Sequence, residues 1–280
     1  MSYFAPLSFL LFSKTHTHGA PQIQSSPFLS VVIPAFNEQV RLPPTLDECT
    51  NYLNRKWPGR YELIVADDGS TDDTVLTVVN RGLCHSLRMV SSTRGNNGKG
   101  AAVAAGAAVA RGDLILLMDA DGATDIRCIE KLRSAMSDSR AHLAIGSRTF
   151  VARPILRRFM GNVFSLLASS VVVDVCDTQC GFKLLTREAA SLLPQLRLKG
   201  WAFDVELLGV AQALGMHIET VPVTWRDVEG SKVGILAPIS MALDIAVLFF
   251  MYRGGLWSLP TPGLRPIKPP YYREVILRND

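Results

Sequence analysis

Between residues 29 and 132 the chain alternates short runs of β-branched and other apolar residues with segments whose apolar residues recur at helical spacing. LSVVI (29–33), YELIVA (61–66), LRMVSS (87–92) and DLILLM (113–118) read as buried strands, each followed by a polar or glycine-bearing loop. Between and after them, Leu46, Cys49 and Leu53, then Val75, Val78 and Val79, then 101–109, then Ile126, Ile129 and Leu132 mark helices. Parallel strands need long crossover connections, which are usually helices, so this alternation predicts an α/β fold with a mostly parallel sheet covered by helices on both faces. In such a sheet ligands bind at the carboxyl ends of the strands.

Four polar clusters occupy those ends: PAFNE (34–38), DDGSTDD (67–73), TRGNNGKG (93–100) and DADG (119–122). In DADG two carboxylates stand one residue apart where the apolar run stops; they suit a hard cation such as Mg²⁺ or Mn²⁺, or equally a turn before a helix capped by Thr124 or Asp125. In DDGSTDD, Ser70 or Thr71 is expected to cap a helix whose first turn holds Asp72 and Asp73, which leaves Asp67 and Asp68 for another task. The glycine-rich loop is neither a P-loop nor a dinucleotide fingerprint, because the required spacings fail at Thr93, Gly100 and Val103. What remains places Arg94 and Lys99 near a helix start, either as a phosphate-sized site or as a plain turn.

Beyond His142 the pattern changes: a strand at 143–147, a basic stretch with Arg148, Arg153, Arg157 and Arg158, an apolar helix over 159–173, an element over 180–186, a helix over 203–214 and a strand over 217–223. Composition then matters, because 48% of the 280 residues are apolar and only 19% charged, which excludes disorder. No apolar stretch of 18 residues is free of charge; the nearest, 233–252, is broken by Pro238 and Asp244, and an aspartate mid-span costs about 3 kcal/mol. Residues 233–257 are therefore expected to form an amphipathic or apolar helix associated with a membrane surface. Residues 1–27 read as a leader with a partial membrane anchor in the apolar segment 3–12, and 258–280, with five prolines between Pro260 and Pro270, as an extended tail. The net charge of +4 suits anionic partners but is too small and scattered to predict nucleic-acid binding. An odd set of five cysteines without a CxxC pair points to a reducing compartment, and the five histidines have no zinc-site spacing.

Singly these signals are ambiguous, but in order they resemble one family. IPAFNE, ADDGSTDDT, GNNGKGAAV and MDADGAT, spread over about ninety residues, resemble the inverting family 2 glycosyltransferases of the GT-A (Rossmann-like) fold, with 28–147 as the nucleotide-sugar half and 148–232 as the acceptor half. DTQCGFKLLTR (177–187), GWAFDVELL (200–208) and WRDVEGSKV (225–233) resemble, within it, the dolichyl-phosphate β-glucosyltransferases. The resemblance implies UDP-glucose as donor, dolichyl phosphate as acceptor, a Mg²⁺ or Mn²⁺ cofactor, and a place at the endoplasmic reticulum membrane with the active site on the cytosolic side. It also implies that Pro34, Ala35, Asn37 and Glu38 frame the nucleotide, that Asp68 reads the base, and that Asp119 and Asp121, flanking Ala120, hold the metal. Lys99 then lies near the donor, and Arg148, Asp177, Gln179, Lys183, Asp204 and Lys232 line the sugar and acceptor side. An acceptor phosphate is already ionised at pH 7, so Asp204 is expected to orient basic groups rather than act as a base, with Asp121, Arg148 and Lys183 completing the catalytic set. The alternatives are a polyprenyl-phosphate mannosyltransferase, whose nucleotide half would look the same, and a non-catalytic nucleotide-binding protein, which the Asp119/Asp121 pair disfavours.

Overall fold

Strands β1 (Leu29–Ala35), β2 (Tyr61–Asp67), β3 (Leu87–Ser92) and β4 (Leu114–Leu117) form where the apolar runs predict them. The computed structural model describes residues 27–81, 86–148, 171–172, 175, 177–228, 237–264 and 267–275. β5 (Leu143–Ser147), β6 (Lys183–Thr186), β7 (Ile218–Pro222) and β8 (Tyr272–Val275) join them in one sheet of order β7-β5-β6-β4-β1-β2-β3-β8. The expected nucleotide and acceptor halves thus share a single sheet. Except for Val171 and Val172, the apolar helix expected over 159–173 lies outside the described residues, as do Arg153, Arg157, Arg158, Lys232 and the leader up to residue 26.

β1, β2, β3 and β4 are parallel, and their alignment of Ala35 with Asp67 and of Asp67 with Ser91 brings the polar clusters to one edge. The second half departs from a mostly parallel sheet. β6 inserts antiparallel between β4 and β5, and β8 runs antiparallel to β3. Strand direction depends on where the incoming connection enters, which apolar content does not encode. The tail is likewise more than an extension: β3 would otherwise leave an open edge, and Tyr272–Val275 pairs with it.

Helix α1 (Leu42–Lys56) starts at two prolines, which is tolerated where the first N–H groups have no partner anyway, and buries Leu46, Cys49 and Leu53 as the spacing predicts. α2 (Thr74–Asn80) starts later than expected. Its first N–H bonds the Asp72 carboxylate at 3.0 Å, while Ser70 and Thr71 are engaged by Asn37 instead, so neither is the cap. α3 (Lys99–Val109) is rich in alanine and packs on β1 and β2. α4 (Ile129–Ser139) follows a short turn capped by Asp125, as one of the two expectations had it. α5 (Arg187–Ala190) follows β6, α6 (Phe203–Ala213) is almost wholly buried, and α7 (Ala237–Arg253) packs against it. Cys49, Cys128 and Cys180 are free and buried.

One buried carboxylate clamps the amino end of the sheet. Glu62 on β2 accepts from the Ser30 hydroxyl at 2.7 Å, the Arg111 N–H at 2.7 Å and the Arg88 guanidinium at 2.9 Å. Burial alone raises a carboxyl pKa, but these donors hold Glu62 below the ordinary glutamate range. A depressed pKa contributes stability that is complete above the unfolded value of about 4.3 and is lost as the pH falls through the folded value. Glu62→Ala is expected to cost about 3 kcal/mol in urea unfolding, and the wild-type melting temperature should fall more steeply below pH about 4.3 than that of Glu62→Gln.

Candidate functional site

The PAFNE loop is ordered by its neighbours. Asn37, in the left-handed region at φ 56°, donates its N–H to the Ser70 hydroxyl, and its side-chain carbonyl accepts from the N–H groups of Thr71 at 2.8 Å and Asp72 at 3.4 Å. Glu38 is buried, donates its N–H to the Thr74 hydroxyl at 2.7 Å and pairs with Arg41, whose own pKa is raised chiefly by that bond. The first two clusters therefore form one connected wall, with Pro34 and Ala35 ending β1 beneath it.

The two aspartates of the second cluster do different work. Asp67 is fully buried and accepts from the N–H groups of Gly69 and Ser70 and from the Ser91 hydroxyl, closing the turn. Asp68 points to the glycine-rich loop: its carboxylate accepts from the Asn97 N–H at 3.0 Å, the Gly98 N–H at 2.7 Å and the Tyr272 hydroxyl at 2.5 Å. Burial raises its pKa against the pull of those donors. Gly98 has φ 99°, and a Cβ there would stand 2.4 Å from the Lys199 carbonyl, so only glycine lets this loop seat against residues 199–200.

α3 then begins at Lys99, whose ammonium lies 2.6 Å from the Asp119 carboxylate at the end of β4. Burial favours the neutral forms of both groups, yet each holds the other charged: Lys99 is raised, and Asp119 is lowered by Lys99 with help from Lys183 and Arg148. Asp121 accepts from the Ala123 N–H at 3.0 Å, and burial together with Asp119 raises its pKa. Ala120 is buried, with its carbonyl accepting from the Thr45 hydroxyl at 2.9 Å. Gly181 passes so close that a Cβ would sit 2.0 Å from an Asp119 carboxylate oxygen. A small cavity here is lined by Pro34, Lys99, Asp119, Gly181, Phe203 and Asp204.

The second half adds two further ion pairs. Arg148, just past β5, makes a bidentate bond to Asp177 at 2.8 Å on both arms, and its guanidinium lies 5.8 Å from the Trp225 ring centroid. Asp177 is held below the usual carboxylate range by Arg148, which outweighs its burial. Lys183 lies opposite Leu117 in the β4–β6 register and is 0% exposed, 2.7 Å from Asp204 and 2.5 Å from the Cys180 carbonyl. Lys183, expected on the acceptor side, is fully buried and paired with Asp204, and burial would make an unpaired ammonium costly. Gln179 bonds the Trp201 carbonyl at 3.5 Å, and Trp201 stacks 5.3 Å from the Lys99 ammonium. Trp201 and Trp225 are half-buried beside cations, whereas Phe203 is core.

Two participants were not singled out from sequence. Glu206 is fully buried and accepts from the N–H groups of Arg197 and Leu198 and from the Tyr252 hydroxyl at 2.8 Å, tying α7 to the segment that abuts Gly98. The two acids, Asp204 and Glu206, within the otherwise apolar FDVELLGV run are the signal for such partners. Tyr272 is the other, and the aromatic pair that opens YYREV is its trace in the sequence.

A glycosyl transferase family 2 model matches residues 30–188. The dolichyl-phosphate β-glucosyltransferase of Mus musculus is 40% identical over 276 residues, covering 90% of this chain and 84% of that one. The chain belongs to this family. The corresponding Homo sapiens and Saccharomyces cerevisiae enzymes are 37% and 33% identical, over 90% and 82% of this chain and 84% and 76% of theirs. Among solved structures, glucosyl-3-phosphoglycerate synthase of Mycobacterium tuberculosis in complex with UDP superposes with a TM-score of 0.62 at 20% identity, covering 86% of this chain and 87% of that one, which shows the GT-A fold. The same enzyme crystallised with Mn²⁺, UDP-glucose and phosphoglyceric acid gives 0.59 at 20% identity, covering 81% and 80%.

The buried Lys183–Asp204 pair tests this geometry independently of turnover. Lys183→Met strands the Asp204 carboxylate and is expected to cost about 3 to 5 kcal/mol in urea unfolding, and the double variant Lys183→Met/Asp204→Leu should recover most of that loss.

Proposed function

We propose that the protein transfers glucose from UDP-glucose to dolichyl phosphate with inversion, forming dolichyl β-D-glucosyl phosphate for N-glycan assembly, on the cytosolic side of the endoplasmic reticulum membrane. The observation that carries this reading is the Asp119/Asp121 pair at the end of β4, set between Lys99 and the Arg148–Asp177 pair, in a chain that belongs to the dolichyl-phosphate β-glucosyltransferases.

The reaction brings a nucleotide diphosphate together with a phosphate monoester. At 4 Å and an effective dielectric near 20, each unit-charge repulsion is worth about 4 kcal/mol, so fixed cations must offset it. Lys99 and Arg148 would meet this need, and their aspartate partners hold them in place before substrate arrives. Asp119 and Asp121 would hold a divalent ion. Two carboxylates with no third His, Cys, Asp or Glu beside them among the described residues fit Mg²⁺ or Mn²⁺, which fill their shells with water and phosphate, better than a closed zinc site. When bound, such an ion supplies Lewis-acid stabilisation of the departing UDP. The acceptor phosphate is already ionised, so no strong base is required, and Asp204 serves by keeping Lys183 in place.

Membrane proximity is supported by α7. Met241, Ile245 and Leu248 face the core, while Ile239, Leu243, Val247 and Phe250 form an exposed apolar stripe, and Asp244 turns toward Gly200. Among the described residues no helix is long and apolar enough to cross a membrane, so α7 would lie along a lipid surface rather than span it.

Asp121→Asn is expected to lower transfer by about 100-fold or more, with the circular dichroism spectrum unchanged. The assay supplies labelled UDP-glucose, dolichyl phosphate and Mn²⁺ or Mg²⁺ and scores an acid-labile glucolipid. Preferential use of GDP-mannose, or a water-soluble product, would overturn the proposal.

A further inference from the structure

The last strand of the chain reaches the donor end of the cleft through one hydroxyl. Tyr272 on β8 lies opposite Ser92, is 1% exposed, and its ring packs among Ala66, Val90, Ala101, Ala102 and Ala105. The small residues on that face of α3 leave room for the ring, and its hydroxyl bonds the Asp68 carboxylate at 2.5 Å. Through the other bonds of that carboxylate, to the N–H groups of Asn97 and Gly98, the contact reaches the residue that places Lys99 on Asp119. The neighbouring residue reinforces it: the Tyr271 carbonyl accepts from the Thr93 N–H at 2.8 Å and the Thr93 hydroxyl at 3.0 Å, and the Arg94 guanidinium lies 5.5 Å from the Tyr271 ring centroid. One end of the glycine-rich loop is thus held directly by a residue 178 positions away, and the other through Asp68, which Tyr272 bonds.

We propose that Tyr272 is a positioning residue for the nucleotide sugar: by fixing the Asp68 carboxylate and the Asn97–Gly98 backbone, β8 completes the donor site, which is not fully formed without it. This rests on the functional reading above. A carboxylate has about four lone-pair positions, and losing the Tyr272 donor frees one of them and loosens Asp68 at the Oδ1 that also accepts from the Asn97 N–H. The effect belongs to donor binding, because the bonds of Tyr272 run to Asp68 and through it to the glycine-rich loop, whereas the pairs proposed for the acceptor side join Arg148 to Asp177 and Lys183 to Asp204.

The test uses the full chain with saturating dolichyl phosphate and Mn²⁺. Tyr272→Phe keeps the ring that packs on α3; it is expected to raise the KM for UDP-glucose about tenfold, to change kcat less than about twofold, and to leave the KM for dolichyl phosphate unchanged. Calorimetric titration with UDP should weaken by the same factor. Glu274→Gln, on the exposed side of the same strand, should leave all three constants at wild-type values. A Tyr272→Phe protein with a lower melting temperature but an unchanged KM for UDP-glucose, or with a lower kcat alone, would show that β8 merely closes the sheet and would overturn the proposal. If the wild type neither binds UDP nor transfers glucose, the functional reading fails and the role of Tyr272 falls with it; wild-type binding beside an unaffected Tyr272→Phe overturns the role of Tyr272 alone.

Discussion

Compensation of buried charge is the constraint on which this molecule depends. Asp119, Asp177 and Asp204 converge on one half-buried cleft, and an unpaired ion there would cost several kcal/mol. Each has its own cation, at 2.6 Å, 2.8 Å and 2.7 Å, contributed by a different element: Lys99 from the start of α3, Arg148 from the end of β5 and Lys183 from β6. The antiparallel insertion of β6 between β4 and β5 follows the same logic, because it sets Lys183 opposite Leu117, two residues before Asp119. Of these cations, Lys99 and Arg148 are the ones proposed to face an anionic donor and an anionic acceptor, and their fixed positions leave little reorganisation to the moment of reaction.

The lipid-facing side is joined to this machinery by polar contacts and not by apolar packing alone. α7 is apolar on two faces, one against α6 and one exposed, and between them Tyr252 bonds Glu206 while Asp244 faces Gly200. Glu206 in turn holds the N–H groups of Arg197 and Leu198, in the segment whose Lys199 carbonyl abuts Gly98. The helix proposed to rest on the membrane and the loop proposed to seat the donor therefore share a wall.

Much of this was legible from local pattern. Polar clusters directly after apolar runs lie on one edge in any parallel sheet, so PAFNE, DDGS, GNNGK and DADG could be placed together before any coordinates. Other features were not legible, for identifiable reasons. The helix after DDGST begins at Thr74 with Asp72 bonded to its first N–H, because Asn37 from another loop claims the N–H of Thr71 and the Ser70 hydroxyl. The burial of Lys183 was not legible, since a lysine in KLLT gives no sign of whether a carboxylate waits inside. Residues 258–280 read as a tail because prolines dominate their first part, while the pairing of β8 depends on an edge that only the assembled sheet creates.

The sequence by itself determined the α/β class, the gathering of polar clusters at the carboxyl edge of the sheet, the acid pair at 119 and 121 and the family, since these depend on periodicity and on residue types at short spacing. Tertiary structure alone decided which carboxylate meets which cation, that Lys183 is buried, that β6 and β8 run antiparallel, and that Tyr272 closes on Asp68. The physical reason is separation along the chain: hydrogen bonds and ion pairs act over about 3 Å in space, while their partners here stand 20 to 204 residues apart.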